Sequence, residues 1–538
     1  MPSHAERTRR YRRSGLWRGE TITAALRSPA PGRAARTALI SEDIRLSHAD
    51  LGERADRLAA GLATLGIAAG DRVVVHLPNI PEFFVLTFAL FRIGAIPVLA
   101  LPAHRVQEIE HLCEASGAVA YVTVDTHFGS DHREIARNIA KKSRTVRHVI
   151  LVGDAAEFTP FAECATEPRE FADPDPSGTA LLLLSGGTTG RPKLIPRTHD
   201  DYGYNFRASA EVCALTESDT YLAVLPVAHN FALACPGVLG TLYAGGTAVL
   251  STSAAPEDAF RLIAAERVTV TALVPAVALQ WAEAAEWARP DLSSLRLTQV
   301  GGAKLDPTAA RRLPAALGGR LQQVFGMAEG LLNFTRLDDP DELVHTTQGR
   351  PLSPEDEIRI VDEHDRDVPA GAVGELLTRG PYTITGYAGA PEHNRRVFTA
   401  DGFFRTGDLV RGHPTGHLTV HGRTKDVVNR AGDKVSAVEV EENLLTCPDV
   451  RAAAVVPAPD AVLGEAICAY VVPGPAEPSL AGVIAFLRDR GLAPYKFPDR
   501  LCLVPGLPLT SAGKVDKKAL TRRAAQHPDT EQEAVDPS

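Results

Sequence analysis

Behind Ser47-His-Ala-Asp50, whose hydroxyl and carboxylate have the spacing of a capping box, Leu51, Ala55, Leu58, Leu62 and Leu65 recur at helical spacing and stop at Gly66. This pattern predicts an amphipathic helix. The run Arg72-Val-Val-Val-His-Leu77, closed by Pro78, reads as a buried strand. Phe83 to Leu101 is the longest apolar stretch, but Arg92, Gly94 and Pro97 interrupt it. It therefore predicts a buried helix and then the strand Ile96-Pro-Val-Leu-Ala-Leu101, and not a membrane span. Strand, helix and strand in this order predict an α/β fold with a parallel, doubly wound sheet. The texture recurs between Ala180 and Leu305, where Leu181–Leu184, Leu222–Leu225, Thr247–Leu250, Val270–Val274 and Leu297–Val300 predict strands with helical stretches among them.

From about Glu355 the pattern shortens. Glu357–Val361 and Gly374–Thr378, punctuated by Gly, Asp and Pro, predict a small β-rich part covering about 355–421. After Lys425 the chain predicts an α+β unit: a helix around Ser436–Leu445, strands Arg451–Val456 and Ala466–Val472, and a helix near Ser479–Arg490. The tail Gln526–Ser538 is polar and predicts disorder. No internal repeat is visible. The domains expected are 1–424, large, and 425–538, small.

Charge and composition act mainly by exclusion. The 538 residues carry 57 Lys+Arg against 66 Asp+Glu, a net charge of −9, which speaks against a nucleic-acid-binding surface. Hydrophobic residues at 44% and charged residues at 23% are the balance of a globular chain, not of a disordered one. Seven scattered Cys without a CxxC argue against a disulfide framework or a zinc site and for a reducing compartment. Arg7, Arg9, Arg10, Arg12 and Arg13 are followed by no apolar run, so they read as a solvated arm and not as a secretory signal. The expected location is the cytoplasm, with neither membrane nor nucleic acid as partner.

The strongest local chemistry is Leu181-Leu-Leu-Leu-Ser-Gly-Gly-Thr-Thr-Gly-Arg-Pro-Lys193. A buried strand runs into three Gly, one Ser and two Thr, then a Lys. Glycine lets backbone N–H groups turn toward an anion, hydroxyls add donors and Lys adds charge, which suits a polyphosphate. It is not a Walker A loop, because Arg191-Pro192-Lys193 stands where that motif needs Gly-Lys-Ser/Thr.

This segment resembles the phosphate loop of the adenylate-forming superfamily: acyl-CoA synthetases, luciferases and the adenylation domains of peptide synthetases. The likeness continues in order. Gln323-Val-Phe-Gly-Met-Ala-Glu329 resembles the aromatic-Gly-x-x-Glu motif, and Phe404-Arg-Thr-Gly-Asp408 the ribose-binding motif. Gly422-Arg-Thr-Lys-Asp-Val-Val-Asn-Arg-Ala-Gly-Asp-Lys434 resembles the hinge, and Pro508-Leu-Thr-Ser-Ala-Gly-Lys514 the segment of the catalytic lysine. The resemblance implies ATP as co-substrate, held by Ser185, Gly186, Gly187, Thr188, Thr189, Gly190 and Lys193 of the loop. It adds Gly302, Ala303, Val324, Phe325 and Gly326, then Asp408, Val420 and Arg423, with Lys514 at the reacting bond. Glu329 would hold Mg²⁺, a hard oxygen donor for a hard cation. Lys425 falls at the hinge, about which the C-terminal domain swings, and Gly432 on the path of a pantetheine thiol. Met327-Ala328 departs from the common Thr-Glu form of its motif.

Pro226-Val-Ala-His229-Asn230-Phe231-Ala-Leu-Ala-Cys235-Pro-Gly237 resembles the stand-alone aryl-acid branch, which loads 2,3-dihydroxybenzoate or salicylate onto an aryl carrier protein for siderophore or nonribosomal peptide assembly. An α-amino-acid domain would show an Asp here to pair the substrate ammonium. The implied substrate contacts are His229, also a catalytic candidate, with Asn230, Phe231, Cys235, Gly302, Met327 and Leu332. Cys235, often Ser in enzymes for 2,3-dihydroxybenzoate, and Leu332, often Val, favour salicylate. The same chemistry on 2,3-dihydroxybenzoate or 3-hydroxypicolinate, an aryl-CoA ligase, and a non-catalytic nucleotide-binding module are the alternatives.

Overall fold

The computed structural model describes residues 4–526 apart from 28–31, 186–191, 431–432, 461–462, 491, 493 and 511–512. The chain forms two compact units, one of residues 1–357 and 378–404, the other of 358–377 and 405–538.

Two sheets organise the first unit. One has seven strands in the order Leu194–Thr198, Thr179–Leu184, Ile96–Leu99, Arg72–His76, Ala120–Val124, His148–Val152, Thr159–Pro160. The other has nine: Arg350–Pro351, Gly330–Phe334, Arg320–Met327, Leu297–Gly301, Val270–Leu273, Thr220–Ala223, Thr247–Leu250, Thr37–Ser41, Ile44–Ser47. Their interiors are parallel, as the alternation of strand and helix predicts. Edges are antiparallel where a short connection turns the chain straight back, as between Thr179–Leu184 and Leu194–Thr198 and between Arg320–Met327 and Gly330–Phe334.

The alternation of side chains explains the layers. Val73 and Val75, Leu181 and Leu183, and Leu39 face one core that also contains the helix Pro81–Ile93. Val74 and Leu182 face a second core, and Ile40, Leu222 and Val249 a third. Each sheet is thus covered on both faces, which is why its strands read as continuous apolar runs. The predicted capping box forms: the Asp50 amide donates to Ser47 Oγ at 3.0 Å and the Ser47 amide to Asp50 Oδ2 at 2.8 Å, opening helix His48–Thr64.

Arg9, Arg12 and Arg13 are exposed, as a solvated arm would have them, but Arg7 is buried and Arg10 half-buried. They lie on helix His4–Arg13, where Arg7 and Tyr11, four apart and so on one face, are buried. Arg10 pairs with Glu355 at 2.8 Å and Arg12 with Asp200 at 3.3 Å. Arg10 and Arg12 thus find buried or partly buried carboxylates far along the chain, which no local pattern announces.

In the second unit, Phe404–Gly412 and Leu418–Arg423 pair antiparallel as neighbours in a four-stranded sheet with Glu357–Val361 and Val373–Arg379. A five-stranded sheet follows, in which Val450–Asp460 and Gly464–Pro473 pair over most of their length. Ile467, Ala469 and Val471 face a core shared with helices Ala437–Leu444 and Leu480–Asp489; Ala466, Cys468 and Tyr470 face one closed by Leu520 and Ala524. Among the described residues no helix is long and apolar enough to cross a membrane.

Candidate functional site

Ser185 leaves the strand Thr179–Leu184, and Lys193 re-enters the hairpin just before Leu194–Thr198. The Ser185 amide donates to the Lys193 carbonyl, and the Lys193 amide to Ser185 Oγ, both at 3.0 Å. These bonds clamp the two ends of the glycine-rich loop; Gly186, Gly187, Thr188, Thr189 and Gly190 themselves lie outside the described residues. Lys193 Nζ stands 6.0 Å from the centroid of the Tyr387 ring, and the Tyr387 hydroxyl donates to Glu329 Oε1 at 2.7 Å. His393 meets the same ring edge-on at 5.1 Å, its pKa lowered by burial and then by the Lys193 and Arg396 charges. Lys193 and Glu329, 136 positions apart by their numbering, therefore converge on Tyr387, a residue that no sequence motif marked.

Arg197 braces this corner. Fully buried, it donates from Nε to Asp201 Oδ1 at 2.7 Å, from Nη1 to the Ala328 carbonyl at 3.0 Å and from Nη2 to the Tyr382 carbonyl at 3.2 Å. Ala328 immediately precedes Glu329, so the guanidinium ties the strand after the loop to the turn that carries the carboxylate. Its ion pair with Asp201 sits where an unpaired charge would be costly.

The acyl candidates join this corner through Tyr202, whose ring lies 4.8 Å from the Arg197 guanidinium. After strand Thr220–Ala223 the chain turns at Pro226, and His229 caps the short helix Asn230–Ala234, its Nδ1 accepting from the Phe231 amide at 3.3 Å. With Nδ1 an acceptor, the proton of the neutral ring resides on Nε2. Asn230 is buried. Its Oδ1 accepts from Tyr202 Oη at 2.9 Å, and its Nδ2 donates to Cys235 Sγ at 3.4 Å. The Cys235 thiol donates to the Asn230 carbonyl at 3.3 Å, and burial pushes its pKa up to about 12. Phe231, Cys235, Val324 and Leu332 belong to one core, with Met327 packed against it.

Two glycines permit the approach of the strands that bound this region. A Cβ on Gly301 would lie 3.0 Å from Phe231 Cζ, and one on Gly326 only 2.4 Å from Leu332 Cδ2. Gly302 and Ala303 follow the end of strand Leu297–Gly301 and are exposed. Phe325 is half-buried, its carbonyl accepting from Asn333 Nδ2 at 3.1 Å.

In the second unit, Asp408 stands opposite Arg423 across the antiparallel pair, and Arg423 Nε donates to Asp408 Oδ1 at 2.7 Å. Val420 lies opposite Val410 on the same strands. Lys514 is exposed at a turn closed by the Thr510 amide on its carbonyl at 2.6 Å and by its own amide on Thr510 Oγ1 at 3.2 Å. Lys425 falls within the single helical turn Thr424–Asp426. Gly432 lies outside the described residues.

Among the described residues no group of three His, Cys, Asp or Glu could cage a metal. A single carboxylate, Glu329, is a hard oxygen donor that would suit a Mg²⁺ ion arriving with phosphates.

Comparison with known proteins accords with this geometry. The AMP-binding enzyme family matches residues 26–388, and the AMP-binding enzyme C-terminal domain matches 439–514. The chain is 54% identical over 510 residues to a 2,3-dihydroxybenzoate-AMP ligase of Bacillus subtilis, covering 95% of each chain. It is 50% identical over 531 residues to a salicyl-AMP ligase/salicyl-S-ArCP synthetase of Mycobacterium tuberculosis, covering 97% of this chain and 94% of that one. The apo structure of MbtA from Mycobacterium smegmatis superposes with a TM-score of 0.75 at 52% identity, over 97% of this chain and 98% of the other.

Proposed function

This chain belongs to the AMP-binding enzyme family, and from that membership we propose that it activates an aryl acid, salicylate first, as the acyl adenylate and passes the aryl group to the phosphopantetheine thiol of an aryl carrier protein. In the first half-reaction a carboxylate oxygen attacks the α-phosphorus of ATP and the bond to pyrophosphate breaks. In the second the thiolate attacks the acyl carbon and AMP leaves. The first step brings oxyanions together, so positioning and charge neutralisation are what the protein must supply.

Lys193 and the glycine-rich loop take the phosphates, and Asp408 with Arg423 takes the ribose. Glu329 would hold Mg²⁺, which when bound would neutralise phosphate charge. Lys514 neutralises the forming carboxylate–phosphate link. Residues 425–538 act as a cap turning about Lys425, withdrawing Lys514 after adenylation and bringing Gly432 to the thiol path. The product enters siderophore or nonribosomal peptide assembly.

Asn230 carries the substrate reading. A buried neutral amide between Phe231 and Cys235 suits a ring hydroxyl beside the carboxylate and brings no negative charge to pair a substrate ammonium. The Cys235 thiol exchanges hydrogen bonds with Asn230 in both directions, so it is a poor partner for a 3-hydroxyl, which favours salicylate. A second reading, 2,3-dihydroxybenzoate, is favoured by the name of the 54% identical Bacillus relative. The test is ATP-dependent loading of labelled salicylate onto a phosphopantetheinylated aryl carrier domain, with free coenzyme A as competitor. Carrier thioester is expected to dominate; preferential formation of salicyl-CoA identifies a CoA ligase instead.

A further inference from the structure

Helix His199–Val212 presents Tyr202 and Asn205, three residues apart and so on one face, to the short helix that carries Asn230. Asn205 Nδ2 donates to the Ala234 carbonyl at 2.7 Å, fixing the end of that helix. Tyr202 is fully buried, and the Arg197 guanidinium lies 4.8 Å from its ring centroid. Burial holds the phenol well above its ordinary pKa of 10, so its hydroxyl keeps its proton.

Three hydrogen bonds then dictate how the Asn230 amide is turned. The Tyr202 hydroxyl donates to Oδ1 at 2.9 Å. The Cys235 thiol donates its proton to the Asn230 main-chain carbonyl at 3.3 Å, which leaves the sulfur to accept from Nδ2 at 3.4 Å. A flipped amide would turn Oδ1 toward the sulfur, which could donate to it only by giving up the main-chain carbonyl. The carbonyl oxygen therefore faces Tyr202, and the NH₂ group faces the side of Cys235. One N–H is used there, and an amide nitrogen carries two.

We propose that Tyr202 is a positioning residue that locks the Asn230 amide so that the acyl site meets its substrate with a hydrogen-bond donor, selecting aryl acids with an ortho oxygen over those with an ortho amine. This rests on the aryl-acid reading above and adds to it both the residue that sets the specificity and its sign. A phenolic oxygen accepts an N–H while its own proton bonds the neighbouring carboxylate. The nitrogen of 2-aminobenzoate has its lone pair drawn into the ring and would oppose N–H to N–H. A site that leaves a buried donor unpaired rejects the wrong ligand strongly.

The experiment is ATP–pyrophosphate exchange with salicylate and 2-aminobenzoate, comparing wild type, Tyr202→Phe and Cys235→Ala. Wild type is expected to favour salicylate in kcat/KM by roughly 100-fold. Tyr202→Phe should shrink that ratio at least about tenfold, mainly through a higher KM for salicylate, with the KM for ATP unchanged. Cys235→Ala removes the opposite anchor and should shift the ratio in the same direction, which keeps the test decisive should Tyr202→Phe fold poorly. An active wild type that prefers 2-aminobenzoate, or variants that slow both acids equally, overturn the proposal. A wild type inactive on every aryl acid overturns the aryl-acid reading and this proposal with it.

Discussion

The Tyr387 hydroxyl donates a 2.7 Å hydrogen bond to Glu329 Oε1 across 58 residues of sequence, and the same ring lies under the Lys193 ammonium. One phenol thus orients the carboxylate proposed for Mg²⁺ and stands beside the lysine proposed for phosphate. Tyr387→Phe removes one hydrogen bond to a charged acceptor, about 1.5–3 kcal/mol. Steady-state kinetics should show kcat/KM for Mg·ATP reduced roughly 10- to 150-fold, with the KM for the aryl acid little changed. Unaltered ATP kinetics contradict the assignment.

Lys514→Ala separates the two half-reactions. Loss of the charge proposed to act at the forming bond should slow adenylation by roughly 10²- to 10³-fold. Transfer from preformed salicyl-AMP to the carrier thiol, measured alone, should retain most of its rate if the proposed rotation withdraws this lysine. Equal losses in both steps refute the proposed rotation.

Stability should fall in acid. Burial holds His48, His104, His132 and His199 at about 4 and pushes His76 well below the usual imidazole range, with the rings of His76 and His132 stacked at 4.8 Å. Such imidazoles take up a proton only on unfolding, so their contribution is complete above about pH 6.5 and is lost as pH drops toward 4. Asp356, raised to about 7 by burial, works the other way, destabilising progressively as pH climbs from 3.8 to 7, and Asp201 and Glu441 are shifted in the same direction. Glu375 is raised by burial as well, and five histidines outweigh these four carboxylates. Thermal melting should show Tm lower by roughly 5–10 °C at pH 5 than at pH 7, with a shallower slope in His132→Asn. A Tm that rises on acidification contradicts this.

The pocket reading predicts a directed specificity change. Cys235→Ser with Leu332→Val supplies a hydroxyl partner and frees one methylene of space. The ratio of kcat/KM for 2,3-dihydroxybenzoate over salicylate should rise roughly 10- to 100-fold. A double variant with unchanged preference removes Cys235 and Leu332 from the specificity argument.

The fold was legible wherever period and punctuation agreed. The strand Arg72–His76 and the helix capped by Ser47 appear as read, because alternate burial on two faces and a local cap leave local marks. Strand Thr220–Ala223 stops short of the expected Leu225 because the chain leaves the sheet as it approaches Pro226. The loop, Glu329 and Asn230 could be singled out as candidates because each carries its chemistry within a short motif. Tyr387, Tyr202 and Arg197 could not, because an aromatic or an arginine inside an apolar element reads as packing until residues distant in sequence are brought beside it. The burial of Arg7 and half-burial of Arg10 escape a local reading for the same reason.

Acid-dependent ATP–pyrophosphate exchange, run across salicylate, 2,3-dihydroxybenzoate, unsubstituted benzoate and the twenty α-amino acids, tests the central claim most directly. Exchange is predicted with the two ortho-hydroxylated acids, salicylate leading, at least about tenfold weaker with benzoate, which leaves the Asn230 N–H unpaired, and at background with every amino acid. Exchange driven by an α-amino acid, or none driven by any aryl acid, contradicts the account.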